Sequence, residues 1–245
     1  MDKLFFEIHS NLPREGPGLN ECTRKAFQAI PDLPDEPEIL DVGCGPGMQT
    51  IELAKISSGN ITAIDNHQPY LEVLEKTAQK EGLAENIKTM NVSMFEMDFE
   101  RNSFDLIWAE GAIYIIGVEK GLNYWKQFLR PGGYMAFTEV SWLREDRPKE
   151  LQQFWDEAYP AIKGIDANIA LIEKCGYKVI EHFILPEKAW WRDYYNPLEK
   201  RLIMLREKYK SDNQAIEMIE QEEIEIELYR RYSNWYGYVF YIVQK

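Results

Sequence analysis

The sequence predicts an α/β fold, a mostly parallel β-sheet covered by helices on both faces. Two patterns predict it. Short apolar runs rich in Ile, Leu and Val alternate with stretches of helical spacing up to about residue 142. A glycine-rich turn, Gly43-Cys44-Gly45-Pro46-Gly47, directly follows the first apolar run.

Residues 38–42 read as a short buried strand, followed by the turn and a helical stretch over 48–56. Residues 61–65 form a second strand. Tyr70, Leu71, Leu74 and Ala78 then fall on one helix face, and Gly82 stands just past its end as a stop signal. Strands are predicted at 87–92 and 104–108. A helix over 119–129 is closed by Arg130-Pro131-Gly132-Gly133, and a fifth strand covers 134–140. Beyond residue 148, Leu151, Phe154, Trp155 and Ala158 mark a helix face, and a helix over 166–175 ends at Gly176. A sixth strand spans 177–185 and a last one 237–243, which makes seven.

Between these last two strands lies a polar and aromatic stretch, 187–234. Leu198, Leu202, Leu205 and Tyr209 keep helical spacing there. Residues 223–228 alternate Glu with Ile or Leu, a strand period, but Glu favours helices and Glu227 and Arg231 form a favourable i, i+4 pair. A helix is therefore expected. The whole of 1–245 is expected to be one domain, with an N-terminal helical lid at 1–35, a core at 36–142 and a helical cap at 187–234. Ligands of such sheets bind beyond the carboxyl ends of the strands, where strand order switches. The loops after residues 42, 65, 92, 108 and 140 should then surround one cleft.

Bulk properties narrow the function. A chain of 245 residues with 45% hydrophobic content can bury a sizeable core. A net charge of −13 with scattered basic residues repels phosphate backbones, so nucleic acid is not an expected partner. Cys22, Cys44 and Cys175 form no CxxC pair, and His9, His67 and His182 form no HxxxH pair, so no metal site is expected. The first residues lack the apolar core of a secretion signal, and no apolar run approaches membrane-spanning length. A reducing, cytoplasmic setting, as a monomer or homodimer, is the simplest expectation.

The turn excludes two cofactor classes. It reads GxGxG, and neither register completes the GxGxxG of nicotinamide and flavin sites. Met48 and Gln49 follow Gly47, where a phosphate-binding loop needs Lys and Ser or Thr. Asp65, at the end of the second strand, can accept hydrogen bonds from both hydroxyls of an adenosine ribose, or simply cap the next helix.

The run 38–47 resembles the first motif of class I S-adenosylmethionine-dependent methyltransferases of the small-molecule type. The likeness extends to Asp65, to Asn102-Ser103-Phe104-Asp105-Leu106-Ile107, and to Leu129-Arg130-Pro131-Gly132-Gly133-Tyr134. It implies a Rossmann-like sheet and S-adenosylmethionine as cofactor. It implies that Asp41, Gly43, Cys44, Gly45, Asp65, Asn66, Ser93, Met94 and Glu110 bind it. Asp41, a carboxylate on a buried strand, needs partners, which turn amides or the cofactor's amino group could supply. Ser93 departs from the resemblance, because an acidic residue is usual at that point near the adenine amine. Met94 and Phe95 are adenine walls or core.

Methyl transfer from a sulfonium is an in-line displacement with an excellent leaving group. Proximity does most of the work, and no triad is required. Ala109-Glu110-Gly111-Ala112-Ile113-Tyr114 follows the fourth strand in place of the motif carried by DNA and amide N-methyltransferases. Glu110 and Tyr114 are the candidate catalytic residues: Glu110 could bond the cofactor, act as a base, attract a cationic acceptor or be only a helix-start acid, and Tyr114 is an acceptor-pocket residue or core packing. Glu139 and Trp142 end the fifth strand. Trp190, Trp191, Tyr194 and Tyr195 are a cap core or an acceptor pocket. His67 reads as a surface histidine and His182 as a packed strand residue. Arg14, in the turn-rich Pro13-Arg14-Glu15-Gly16-Pro17-Gly18, is either part of an exposed turn or a ligand for the cofactor carboxylate or an acidic acceptor. The functional expectation is a small-molecule methyltransferase. A non-catalytic S-adenosylmethionine-binding regulatory protein is the rival.

Overall fold

A computed structural model describes residues 2–9 and 11–245. Five strands, β1 (Glu38–Val42), β2 (Asn60–Asp65), β3 (Ile87–Asn91), β4 (Phe104–Ala109) and β5 (Leu129–Trp142), pair in parallel. Beyond them β7 (Lys178–Ile184) and β8 (Tyr236–Gln244) add antiparallel pairs, giving the order β3-β2-β1-β4-β5-β8-β7. Strand order therefore reverses between β1 and β4.

The seven expected strands are all present, and one more was not foreseen. β6 (Lys163–Gly164) is a two-residue parallel pair with Ser141 and Trp142, too short to leave a sequence period. β5 also starts earlier than expected. Leu129 already pairs with Phe104, and the register then shifts before Leu106 meets Tyr134, so Arg130-Pro131-Gly132-Gly133 is an irregularity within the strand.

Alternate strand residues feed the two faces. Ile39, Leu106, Trp108, Ala136 and Phe240 enter one core layer, and Leu40, Ile107, Ala109, Phe137 and Tyr241 the other. Between strands run α3 (Met48–Ser57), α4 (Gln68–Glu81), α5 (Ile113–Ile116), α6 (Val118–Trp125), α7 (Lys149–Ala158) and α8 (Ile165–Lys174). Gly82 and Gly176 end α4 and α8 in the left-handed conformation, as the stop signals predict.

The cap is helical. α9 (Lys188–Trp190) runs through a π-helical turn, Trp191–Tyr195, into α10 (Asn196–Lys208), and α11 (Asn213–Tyr232) returns to the sheet. The alternating segment at 223–228 is helical, and Arg231 pairs with Glu227 at 3.5 Å. Asp212 caps α11 by accepting from the Ala215 amide at 3.2 Å. The cap aromatics are core: Trp190 stacks on Tyr229 at 4.1 Å, and Tyr195 is buried beside them.

The N-terminal lid, α1 (Asp2–His9) and α2 (Asn20–Gln28), docks on the cap rather than lying over the sheet alone. Glu7 accepts from Lys208 at 2.5 Å and Tyr209 at 2.8 Å, and its backbone carbonyl from Arg201 at 2.6 Å. Gly18 donates its amide to Ala189 at 2.9 Å. Lid and cap thus form one roof, of which the lid residues Phe5, Phe6, His9 and Arg14 reach the loops at the carboxyl ends of the strands.

Candidate functional site

A cavity of about 310 Å³ opens at the switch between β1 and β4, under this roof. The glycine turn forms its floor. Gly43 has φ +71°, and a Cβ there would stand 2.6 Å from Cβ of Ala112, in the loop that follows β4. Gly47, at φ +89°, packs so closely on α4 that a Cβ would meet Leu74 at 2.3 Å. Glycine is required at both positions by conformation and by space. Gly43→Ala should cost roughly 1–2 kcal/mol for the left-handed backbone and about 1–3 kcal/mol for the overlap. Urea unfolding measures the sum, and an unchanged midpoint contradicts this geometry.

Asp65 joins the turn to the next element. Its Oδ2 accepts from the Gly45 amide at 2.9 Å, and Oδ1 from the His67 amide at 2.8 Å, just before α4. Burial raises its pKa, and the amides of His67 and Gly45 oppose that. It therefore caps the helix and also faces the cavity, with lone pairs left on both oxygens.

Asp41 lies behind the turn. It is 0% exposed, and burial pushes its carboxyl up to about 7. Its partners are side chains of α3, not the expected turn amides: Thr50 donates at 2.6 Å and Gln49 at 3.3 Å, both to Oδ2. Oδ1 has no partner, an orphaned acceptor that a cationic amino group would satisfy. Gln49 also holds the Cys44 carbonyl at 2.9 Å and lines the cavity, a role the motif did not point to. Cys44 contributes backbone only, since its thiol packs in an apolar cluster with Leu71 and Leu74, and burial pushes that thiol well above its ordinary range.

Asn66, Ser93, Met94 and Phe95 also line the cavity. Ser93 accepts from the Phe95 amide at 3.3 Å in a local turn, and the Met94 carbonyl accepts from Trp125 at 3.3 Å. Met94 belongs partly to the core, whereas Phe95 is exposed.

Glu110 is not the free base that its position suggested. Its Oε1 accepts from Thr23 at 2.6 Å and from the Trp108 indole at 3.0 Å, and its Oε2 accepts from Arg14 at 2.9 Å. With both oxygens committed, the carboxylate holds the lid. Arg14 is correspondingly no exposed turn residue: it is 4% exposed, lines the cavity, donates also to Asn20 at 3.0 Å, and keeps Nε unpaired. Tyr114 lines the mouth and is 43% exposed. His67 is no plain surface residue, since its ring stacks on Phe6 of the lid at 3.8 Å. His182 is exposed on β7 rather than packed. Among the described residues no group of His, Cys, Asp and Glu is arranged to hold a metal.

A second lid contact is sensitive to protons. His9 lies 3.6 Å from Glu15 and 3.4 Å from Glu222 of α11, with Glu225 and the Tyr194 and Phe5 rings nearby. Glu15 also accepts from Tyr70 at 2.7 Å. Burial works to lower the His9 pKa, but the carboxylates outweigh it and the net shift is upward. Burial raises Glu15 to about 7. A raised histidine stabilises the closed lid below its unfolded pKa and loses that as pH rises through the folded value. A raised carboxyl adds a penalty that grows from pH 4.5 through about 7. Both signs agree: proteolysis of the lid should accelerate between about pH 6 and 8. His9→Ala should remove the histidine's share of that rise and leave the Glu15 share, and a pH-independent rate in the native chain contradicts the assignment.

The described residues fit S-adenosylmethionine. Asp65 offers acceptors for the ribose, the orphan Oδ1 of Asp41 an acceptor for the amino group, and the bare turn a close backbone approach. Comparison with known proteins agrees. A family described as a methyltransferase domain matches residues 39–133. A sterol 24-C-methyltransferase of Gibberella zeae is 29% identical over 181 residues, covering 69% of this chain and 47% of that protein. The chain thus spans about half the length of the curated relatives it matches. A methyltransferase of Thiobacillus denitrificans, solved with S-adenosyl-L-homocysteine, superposes with a TM-score of 0.83 at 20% identity over 99% of this chain and 98% of its own. One of Geobacter sulfurreducens, also solved with S-adenosyl-L-homocysteine, gives 0.81 at 21% identity over 99% and 98%. The match of residues 39–133 to a methyltransferase domain agrees with the fold, the glycine turn and Asp65, which together fit this core to S-adenosylmethionine.

Proposed function

We propose that the chain transfers the methyl group of S-adenosylmethionine to a small-molecule acceptor by in-line displacement. The observation that carries this is the enclosure: a cavity of about 310 Å³ between glycine turn and roof, with Tyr114 and Gly111 on its acceptor side. Gly43, Cys44 and Gly45 give backbone to the cofactor, Asp65 and Asn66 take the ribose, Ser93 and Met94 the adenine, and Asp41 with Gln49 the amino group. Arg14, on the cavity wall, would take the cofactor carboxylate, and Glu110 holds Arg14 in place. The bound cofactor supplies an electrophilic methyl group. The protein excludes water and aligns the two partners, a contribution of roughly 7–11 kcal/mol in well-oriented systems.

The relatives named for sterol methylation support a small acceptor, and the net charge of −13 argues against nucleic acid. No helix among the described residues is long and apolar enough to cross a membrane. We place the protein in the cytoplasm as a monomer or homodimer. The test is transfer of label from S-[methyl-³H]adenosylmethionine into a metabolite extract in the presence of the protein. Labelled small molecules are expected. Cofactor binding with no transfer to any acceptor would favour a regulatory binding protein.

A further inference from the structure

Glu15 of the lid lines the cavity, and so does Tyr70 of α4, whose hydroxyl donates to Glu15 Oε2 at 2.7 Å. The His9 ring stands 3.6 Å from that same oxygen. Oε1 is buried and has no hydrogen-bond partner among the described residues. The side chain packs against the glycine turn: a Cβ on Gly45 would stand 3.5 Å from Cγ of Glu15. The Gly45 amide meanwhile donates to Asp65 Oδ2 at 2.9 Å. One bare glycine is therefore flanked by two carboxyl groups, one from the sheet and one from the lid, and both residues line the cavity. A ribose held by Asp65 comes to lie beside Glu15.

Two carboxyl groups sharing one site do not ionise together readily. Asp65, which accepts from the Gly45 and His67 amides, is the one suited to stay charged. Burial foremost, and then the charge of Asp65, hold Glu15 up at about 7, against Tyr70, His9 and Arg201 of α10. Arg201 itself donates to the Glu7 carbonyl at 2.6 Å. In the neutral acid, Oε2 accepts from Tyr70 and the proton belongs on Oε1, which then has a hydrogen to give. Ribose hydroxyls that give their hydrogens to Asp65 keep lone pairs on oxygen, and these call for a donor. An ionised Glu15 would offer them only more lone pairs.

We infer that Glu15 is a cofactor-binding residue supplied by the lid, a neutral acid whose Oε1 donates to a ribose hydroxyl oxygen while Asp65 accepts from the hydroxyls. The ribose is thereby clamped between sheet and lid. This rests on the cofactor reading above and adds a ligand to the same site.

Calorimetry on the full chain with S-adenosylhomocysteine and its 2′-deoxy and 3′-deoxy forms tests it. Glu15→Ala should weaken the parent compound about tenfold at pH 6, the worth of one good hydrogen bond. Glu15→Gln, whose amide copies the neutral acid, should stay within about threefold of the native chain at that pH. Between pH 6 and 8 the native affinity should fall about tenfold relative to that of Glu15→Gln, because a group with a pKa of about 7 loses its proton in that window. Asp41 and His9 are common to both chains, so the ratio isolates Glu15. One of the deoxy forms should bind the native chain and Glu15→Ala with nearly equal affinity, since the contact that the variant removes is already missing. Thermal unfolding shows that each variant is folded. If Glu15→Ala weakens both deoxy forms as much as the parent, or if Glu15→Gln has the pH dependence of the native chain, the inference is overturned. If the parent does not bind the native chain at all, the cofactor reading falls and this inference falls with it.

Discussion

Asp65→Ala should weaken S-adenosylhomocysteine binding roughly a hundredfold or more. Hydrogen bonds to a charged group contribute about 1.5–3 kcal/mol each, and a tenfold change in affinity corresponds to about 1.4 kcal/mol. Two ribose hydroxyls on one carboxylate therefore account for at least that loss. The variant also releases the Gly45 and His67 amides, which lose their acceptor at 2.9 and 2.8 Å, so the floor of the site loosens at the same time. Asp65→Asn retains one acceptor oxygen and turns a donor toward one of these amides, so its loss should be intermediate. Calorimetry reads both affinities, and thermal unfolding confirms that each variant is folded. A loss below threefold for Asp65→Ala would remove the ribose from this carboxylate.

Arg14→Ala should be the most destabilising single change in the lid. Arg14 and Glu110 pair at 2.9 Å with side chains only 4% and 3% exposed. Removing one partner of a buried pair leaves the other charge uncompensated and costs about 3–5 kcal/mol. Glu110 would keep its bonds from Thr23 and Trp108 but lose its counter-charge. The double variant Arg14→Met with Glu110→Gln removes both charges and should recover more than half of that loss. Urea unfolding of the two single variants and the double variant closes the cycle. Additive losses, with no recovery, would mean that the two residues do not share an ion pair. Arg14→Ala should also weaken S-adenosylhomocysteine, since Arg14 lines the cavity.

What the sequence revealed of this site follows from distance along the chain. The glycine turn, Asp65 and the apolar strands are local patterns, readable from a few residues on either side. The stop glycines Gly82 and Gly176 were legible for the same reason. Glu227 and Arg231 settled a helix against a strand period because their pairing is also local. The pairing of Arg14 with Glu110 spans 96 positions and carries no such period. It turned a candidate base into the anchor of the lid. The docking of Glu7 on Lys208 and Tyr209, and of His67 under Phe6, depends on the roof closing over the sheet. Gln49 was hidden differently: it follows the turn directly, but only the packing of α3 against Asp41 and the Cys44 carbonyl shows what it does. Glu139 was visible only as a strand end. Its burial and its unpartnered oxygen are products of the fold.

The central claim is that the turn at Gly43–Gly47, which lacks the GxGxxG pattern of dinucleotide sites, and the carboxylate of Asp65 form an adenosyl site. Calorimetric titration of the native chain with S-adenosylhomocysteine, and separately with NAD, tests it most directly. One S-adenosylhomocysteine bound per chain, with no heat from NAD, is the expected result. Saturable NAD binding with no response to S-adenosylhomocysteine would contradict it.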